Sequence, residues 1–187
     1  MGIDTGACLS AGWEGFKKNP VNHIVAVLLV GAVSSVGMGL LTGPMMVGYM
    51  RMMMREAEGQ TTSAGDVFKG FEDFVPGLIV GLLGSIIVSA GYAFCFIPGL
   101  LLAPLMPYAL YIVAAGEKDG VAALKRAFDM LQAHLVPGAI CWFVLSLVAV
   151  LGLVGCFVGL LVTAPIAAIG SFYMARMAAG EGALARG

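Results

Sequence analysis

The stretch that decides the fold runs from Phe74 to Gly116 and reads FVPGLIVGLLGSIIVSAGYAFCFIPGLLLAPLMPYALYIVAAG, 43 residues without Asp, Glu, Lys or Arg. A helix rises about 1.5 Å per residue, so about 20 apolar residues cross the roughly 30 Å hydrocarbon core of a bilayer. The stretch is therefore long enough for two crossings. Gly91, Pro98 and Gly99 lie near its middle, where a turn between two antiparallel helices is expected.

Two further charge-free tracts flank this one, Asn19 to Met50 and Met130 to Ala175, of 32 and 46 residues. Each again has glycines near its middle, at 37–44 and 152–159. The first tract is short, so its second leg must extend into the charged residues Arg51 to Glu58 or stop before a full crossing. We expect an all-α integral membrane protein of six transmembrane or re-entrant helices, arranged as three helical hairpins. Re-entrant hairpins remain an alternative because the turns are themselves apolar.

The composition of the whole chain agrees with a membrane location. Of its 187 residues 60% are apolar and 11% are charged, whereas about a quarter of an ordinary soluble domain is charged. The net charge of -1 argues against nucleic acid as a partner. The expected partners are the lipid bilayer and either further copies of the chain or a larger membrane complex.

Every basic residue lies outside the three tracts. The four basic segments are Lys17 and Lys18; Arg51, Arg55 and Lys69; Lys118, Lys125 and Arg126; and Arg176 and Arg186. If each tract crosses twice, these segments share one face of the membrane, and the positive-inside rule makes that face cytoplasmic. Both termini are then expected in the cytoplasm.

Prolines recur in register along the chain and indicate an internal repeat. Pro76 and Pro104 are 28 residues apart, as are Pro137 and Pro165. A single membrane domain, 1–187, with pseudo-repeats at about 10–59, 64–117 and 121–180 is predicted. Each unit consists of an amphipathic interfacial helix, an inward leg, a turn and an outward leg. In the second unit, helical spacing predicts one apolar face made of Val67, Phe68, Phe71 and Phe74.

Small residues four apart allow helix backbones to approach closely in lipid. Within the charge-free tracts three glycine pairs have this spacing, as does the pair Ser85 and Ser89, and the glycines are candidate helix-packing residues: Gly39 and Gly43, Gly77 and Gly81, and Gly155 and Gly159. We interpret them mainly as packing within the chain, with a contact between subunits as the alternative.

Arg51 follows Pro44 by seven residues, which would place it inside the apolar layer. An arginine there faces a cavity or a partner, or extends its side chain to the headgroups. No acidic residue lies within the tracts to pair with it. Arg51, Arg55 and Arg176 are therefore candidate contacts for lipid headgroups or for a pore.

Neither a catalytic nor a metal site is predicted. The chain has no Ser-His-Asp order, HExxH motif or phosphate loop, and no cofactor is expected. His23 and His134 begin tracts and are expected at the interface.

The run Met45 to Met54 contains six methionines, for which copper binding is an alternative to flexible packing. The four cysteines of the chain form no CxxC pair and are expected to be small buried residues: Cys8, Cys95, Cys141 and Cys156.

The segments FIPGLLL at 96–102, Glu117 and AALKRAF at 122–128 carry a family resemblance. Together with Gly12-Trp13 and Asn19-Pro20, they resemble uncharacterised bacterial multi-pass proteins related to the membrane domain of some glycerophosphodiester phosphodiesterases. The resemblance covers most of the chain and implies a bacterial inner membrane protein. It transfers no catalytic residue, because the quoted motifs belong to the membrane part.

The sequence therefore favours a non-enzymatic membrane scaffold or accessory subunit that packs through Gly-rich helix faces. The alternative is a pore or facilitator for a small or lipidic substrate, with Arg51 along its path.

Overall fold

A computed structural model describes residues 3–37, 39–94, 96–154 and 156–180. Within these residues the chain is helical and has no strand, which confirms the all-α prediction. The elements are α1 (Thr5–Lys18), α2 (Pro20–Val36), α3 (Thr42–Ala57), a 3₁₀ helix (Ala64–Asp73), α4 (Phe74–Phe94), α5 (Phe96–Leu102), α6 (Leu105–Ala114), α7 (Gly120–Ala133), α8 (Leu135–Val154) and α9 (Cys156–Ala178).

Three short elements, α1, the 3₁₀ helix and α7, each begin at a side-chain cap. The Asp4 carboxylate accepts two backbone N–H groups of the first turn of α1, at 2.8 and 3.2 Å. Asp119 does the same at the start of α7, at 2.8 and 3.3 Å. Ser63 and Asp66 form a capping box at the start of the 3₁₀ helix. These caps satisfy N–H groups that have no partner within the helix, so each element starts at a defined residue.

The 3₁₀ helix presents three stripes, because its period of three residues matches the sequence. The buried stripe consists of Ala64, Val67, Gly70 and Asp73. The exposed aromatic stripe consists of Phe68, Phe71 and Phe74, whose rings stack at centroid distances of 6.4 and 6.1 Å. The charged stripe consists of Asp66, Lys69 and Glu72. The prediction that Val67 shares a face with the phenylalanines is wrong, because the α-helical period of 3.6 does not apply here.

Glycines bring the 3₁₀ helix into backbone contact with α3. A Cβ on Gly48 would overlap the carbonyl of Val67, and a Cβ on Gly70 would overlap the carbonyl of Pro44. No side chain separates the two elements at this crossing. The close approach fixes both the depth and the rotation of the 3₁₀ helix, and therefore the direction of its three stripes.

The chain reverses direction near the middle of each predicted unit. Between α2 and α3, the N–H of Leu40 donates to the carbonyl of Gly37 and the N–H of Thr42 donates to that of Gly39. Gly91 and Gly99 are in contact across the junction of α4 and α5, as are Gly152 and Gly159 across that of α8 and α9. Residues seven or eight apart along one straight helix would be separated by about 10 Å or more, so these contacts require a reversal.

Four helical segments are long and apolar enough to cross a membrane: Ala64–Phe94, Ile97–Ala114, Leu135–Gly152 and Gly159–Ala178. A fifth crossing results if α1 and α2, bent by 102°, form one span. Helix α3 has 16 residues and includes the charged stretch that the first tract was predicted to use. The structure therefore supports a membrane protein with four or five such helices, and six crossings remain a prediction.

The outer surface of the bundle is apolar. On α8, Val136, Ile140, Phe143, Leu147 and Val150 are all exposed and recur every three or four residues, so they form one stripe along the helix. A soluble monomer rarely exposes a continuous apolar stripe of this length. In a bilayer the same stripe faces acyl chains.

Candidate functional site

Arg51 forms an ion pair with Asp73, the last residue of the buried stripe. The Asp73 side chain is 2% exposed and that of Arg51 is 20% exposed. The absence of acids within the charge-free tracts does not leave Arg51 unpaired, because its partner lies one residue outside the second tract. Asp73 comes just before the second charge-free tract, and the period of the 3₁₀ helix turns it inward. The period-three sequence pattern was the signal that could have revealed this pair.

Lys118 completes this charged cluster. Its Nζ lies 2.5 Å from Asp73 Oδ1, while the Arg51 guanidinium also donates to the carbonyls of Lys69 and Ala114, at 3.3 and 3.4 Å. A buried carboxylate is tolerated when it is paired and hydrogen-bonded. The cluster joins the ends of α3, the 3₁₀ helix and α6. We call this side of the molecule the charged end.

Arg55 and Arg176 also lie at the charged end. Arg55 donates from Nε to Gln60 Oε1 at 3.0 Å and lies 3.4 Å from Asp66 Oδ2. Arg176 is in the last turn of α9, within electrostatic reach of Tyr173. Contact of either arginine with headgroups remains a prediction.

The predicted glycine pairs differ in their surroundings. Gly43 packs against the backbone of Gly77 and Gly81, so that a Cβ on Gly81 would lie 3.1 Å from Gly43 Cα. Gly39 lies in the turn between α2 and α3 with φ +83°, and a Cβ there would meet nothing within 4 Å. Gly159 packs against Gly152, while Gly155 lies outside the described residues. The contacts of Gly43, Gly77, Gly81 and Gly159 are thus within the chain.

A buried polar chain connects α2 to α3. His23 is fully buried, and its Nδ1 lies 3.1 Å from the hydroxyl of Tyr49, which is also fully buried. His23 Nε2 lies 2.9 Å from Glu56 Oε2, without the alignment of a regular hydrogen bond. His23 was expected at the interface. It is buried because the 102° bend at Asn19 turns this part of α2 toward the end of α3.

Glu56 holds this bend together. Its carboxylate accepts a hydrogen bond from Thr62 at 2.5 Å and another from Asn19. Burial raises the pKa of Glu56, but the contacts with His23, Thr62 and Asn19 outweigh burial and hold the pKa below its ordinary value. Glu56 is thus an ionised, partly buried carboxylate at the charged end.

A polar pocket of about 290 Å³ lies beside Glu56, between α1, the end of α3 and α9. We call it the corner pocket. Its charged lining residues are Glu14, Lys18 and Glu56. Its other polar lining residues are Asn19, Gln60, Thr61 and Tyr173.

A larger, apolar cavity of about 630 Å³ lies among α3, α4 and α6, and we call it the bundle cavity. Met46 and Met50 of α3 and Met106 of α6 line it, together with Trp142. Its hydroxyl-bearing lining residues are Thr42, Ser85 and Ser171. Its rim includes the exposed residues Leu40 and Leu82. Flexible thioethers and few polar groups are suited to a small or lipidic apolar molecule.

Within the described residues, no group of three or more His, Cys, Asp or Glu is placed to hold a metal ion. The methionines of 45–54 point in different directions: Met45, Met50 and Met52 are all fully buried in the core, and Met50 together with the partly buried Met46 lines the bundle cavity. Cys8 and Cys141 are free and buried, and the side chains of Cys95 and Cys156 lie outside the described part of the chain.

Comparison with known families, with curated proteins and with solved structures found no match. The resemblance to membrane domains of phosphodiesterases therefore stays a prediction. The corner pocket, the bundle cavity and the charged end are the features of the molecule that bear on its function.

Proposed function

We propose that the protein is a non-enzymatic membrane protein that holds a small apolar or lipidic molecule in the bundle cavity. The observation that carries the proposal is the cavity itself, about 630 Å³ in volume and lined by three methionines, Trp142 and scattered hydroxyls. The exposed rim residues Leu40 and Leu82 give the cavity an apolar border, over which an acyl chain can enter from the bilayer.

The proposed architecture is six legs in three hairpins, each preceded by a capped interfacial element. The three reversals and the three side-chain caps support it. The protein lies in the inner membrane of a bacterium, and its charged end and both termini face the cytoplasm. This orientation follows from the distribution of basic residues along the sequence.

A scaffold or accessory subunit is the second candidate function. The 3₁₀ helix and α4 pack rigidly on α3, which favours a stable platform. Of the predicted helix-packing glycines, Gly43, Gly77, Gly81 and Gly159 pack inside the chain, so partners would have to dock on other apolar faces. An anion pore along Arg51 is less well supported, because Asp73 and Lys118 already occupy its surroundings.

The proposal is tested with a fluorescent polyene fatty acid, cis-parinaric acid, and the protein purified in detergent. The chain has two tryptophans, Trp142 at the bundle cavity and Trp13 on α1. In a Trp13→Phe background, bound parinarate should accept energy from Trp142 in a saturable way. In a Trp142→Phe background, where Trp13 is the donor, saturable transfer should be weak because Trp13 is outside the cavity.

Ser85→Phe should block the cavity and abolish saturable transfer in the Trp13→Phe background. Ser89→Phe, one turn further along α4 and exposed without being in the cavity lining, is the matched control and should leave transfer unchanged. Equal transfer from both tryptophans, or equal loss in both serine variants, would contradict a site in the cavity. The scaffold function would then be preferred.

A further inference from the structure

The corner pocket lies at the charged end, away from the bundle cavity. Its walls are α1, residues 56–61 and the last turns of α9. Helix α1 is amphipathic and lies at 102° to α2, which is the geometry of a helix in the headgroup plane beside a crossing helix. The pocket is therefore at the depth where the headgroups of lipids lie.

Two charged side chains of α1, those of Glu14 and Lys18, line this pocket. They are four residues apart, yet neither side chain forms an ion pair or hydrogen bond with another residue in the described part of the chain. The neighbouring Lys17 instead lies over the Trp13 ring, 4.9 Å from its centroid. Because Glu14 and Lys18 do not pair with each other, one acceptor and one donor remain available to a ligand.

Glu56 supplies a second, more deeply placed acceptor. Thr62 and His23 hold its two oxygens in position, at 2.5 and 2.9 Å. A carboxylate has about four lone-pair sites, so further hydrogen bonds can be accepted. A primary ammonium group, with three N–H donors, can bond to both carboxylates at once.

The charge pattern selects a ligand that carries both signs. A simple cation would be repelled by Lys18, and a simple anion by Glu14 and Glu56. A primary ammonium joined to a phosphate places its positive group at the carboxylates and its negative group at Lys18. A pocket of about 290 Å³ accommodates a headgroup of this kind, whereas the acyl chains have to remain outside.

We propose that the corner pocket binds the headgroup of a zwitterionic lipid that carries a primary ammonium and a phosphodiester. The lipid source is favoured over a free metabolite because α1, one wall of the pocket, is an interfacial helix. The inference goes beyond the proposed function, since the corner pocket is separate from the bundle cavity and binds a polar headgroup rather than an apolar molecule.

The test measures lipid retained by the purified protein in native mass spectrometry, from micelles that contain equal amounts of phosphatidylethanolamine, phosphatidylcholine and phosphatidylglycerol. Phosphatidylethanolamine should be retained about tenfold over phosphatidylcholine, whose quaternary nitrogen has no N–H donor. Glu14→Gln and Lys18→Gln should each lower that retention about tenfold. The matched controls Glu58→Gln and Lys17→Gln, which change equal charges outside the lining, should leave it unchanged.

Equal retention of the ethanolamine and choline lipids, preference for phosphatidylglycerol, or equal effects in the pocket and control variants would each overturn the proposal. Free phosphoethanolamine is added in a separate arm. Complete displacement of the lipid by the free compound at millimolar concentration would assign the pocket to a soluble ligand and overturn the lipid source. Ser85→Phe, which blocks the bundle cavity, should leave ethanolamine-lipid retention intact, so the two proposals fail separately.

Discussion

On one face, α3 meets the 3₁₀ helix backbone against backbone through Gly48 and Gly70. On the opposite face the same helix lines the bundle cavity with the flexible side chains of Met46 and Met50, which flank Gly48 in the sequence. One region is filled by main chain and ion pairs, and the other is open and lined by thioethers. A single helix thus combines a fixed anchor with an adaptable wall.

The contrast indicates how a small membrane protein can keep a cavity without losing its fold. Apolar contacts gain little from the hydrophobic effect inside a bilayer, so close packing and polar contacts must hold the helices. Here those contacts are concentrated on the face of α3 that packs against the 3₁₀ helix and the end of α6. Substitutions should therefore be severe on that face and mild along the cavity.

The largest effect is expected from Gly48→Ala. The added Cβ would overlap the Val67 carbonyl, so α3 and the 3₁₀ helix would have to separate. A loss above about 4 kcal/mol, sufficient to prevent folding, is expected. Gly31→Ala, where a Cβ meets nothing within 4 Å, is the control and should be neutral or slightly stabilising. Monodispersity on size-exclusion chromatography measures the outcome, and a monodisperse Gly48→Ala protein would remove the anchor from the comparison.

Asp73→Asn should destabilise the protein by about 3 to 5 kcal/mol, because it removes the buried counter-charge of Arg51 and leaves only the exposed Glu72 carboxylate near it. Glu72→Gln removes an exposed partner of Arg51 at 3.6 Å and should cost no more than about 1 kcal/mol. Denaturation in increasing SDS measures both. Equal midpoints for the two variants would show that burial of the ion pair contributes nothing to the anchor.

Adjacent methionines test the two regions most directly. Met45→Ala should cost about 3 kcal/mol because the side chain is fully buried in the core. Met46→Ala should cost about 1 kcal/mol or less, since that side chain already borders the bundle cavity. Thermal denaturation in one detergent compares them. The same cost for both would mean that the cavity wall is as tightly packed as the core.

An effect smaller than that of Met45→Ala, about 1 to 2 kcal/mol at neutral pH, is expected from Glu56→Gln, which weakens the hydrogen bonds at the α1–α2 bend. Because the pKa of Glu56 in the folded protein is below its ordinary value of 4.5, its contribution is present above that pH and is lost as pH falls through the lower folded value. Thermal midpoints of wild type and variant should therefore differ at pH 7 and converge as the pH falls through the lowered pKa of Glu56. A difference that persists in acid would assign the effect to shape rather than charge.

The helical, membrane-embedded character of the chain could be predicted from its charge-free tracts, because helices that cross lipid must exclude charges. The capped short elements could also be anticipated from Asp4, Ser63 and Asp119. The number of crossings could not be predicted in the same way, since α2 and α3 are too short to be assigned by length and apolarity alone.

The sites were harder to predict, because they depend on residues distant in sequence. The 3₁₀ period directs Asp73 toward Arg51, whereas an assumed α-helical period would direct it elsewhere. The bend at Asn19 brings His23 to Glu56. Cavities are still less accessible to sequence reasoning. A run of methionines is compatible with both a core and a cavity wall. Only the packed structure shows that Met45 lies in the core and that Met46 borders the cavity.

The three stripes of the 3₁₀ helix also impose a rule on insertions and deletions. In this helix one added residue rotates everything after it by about 120°, so an insertion ahead of Gly70 would exchange the buried, aromatic and charged stripes and turn Asp73 away from Arg51. Three added residues restore the rotation but shift the helix along its axis by about 6 Å. Insertions in 64–73 therefore differ in their effect. Three added residues leave every later side chain on its original stripe, whereas one added residue moves all of them to another stripe.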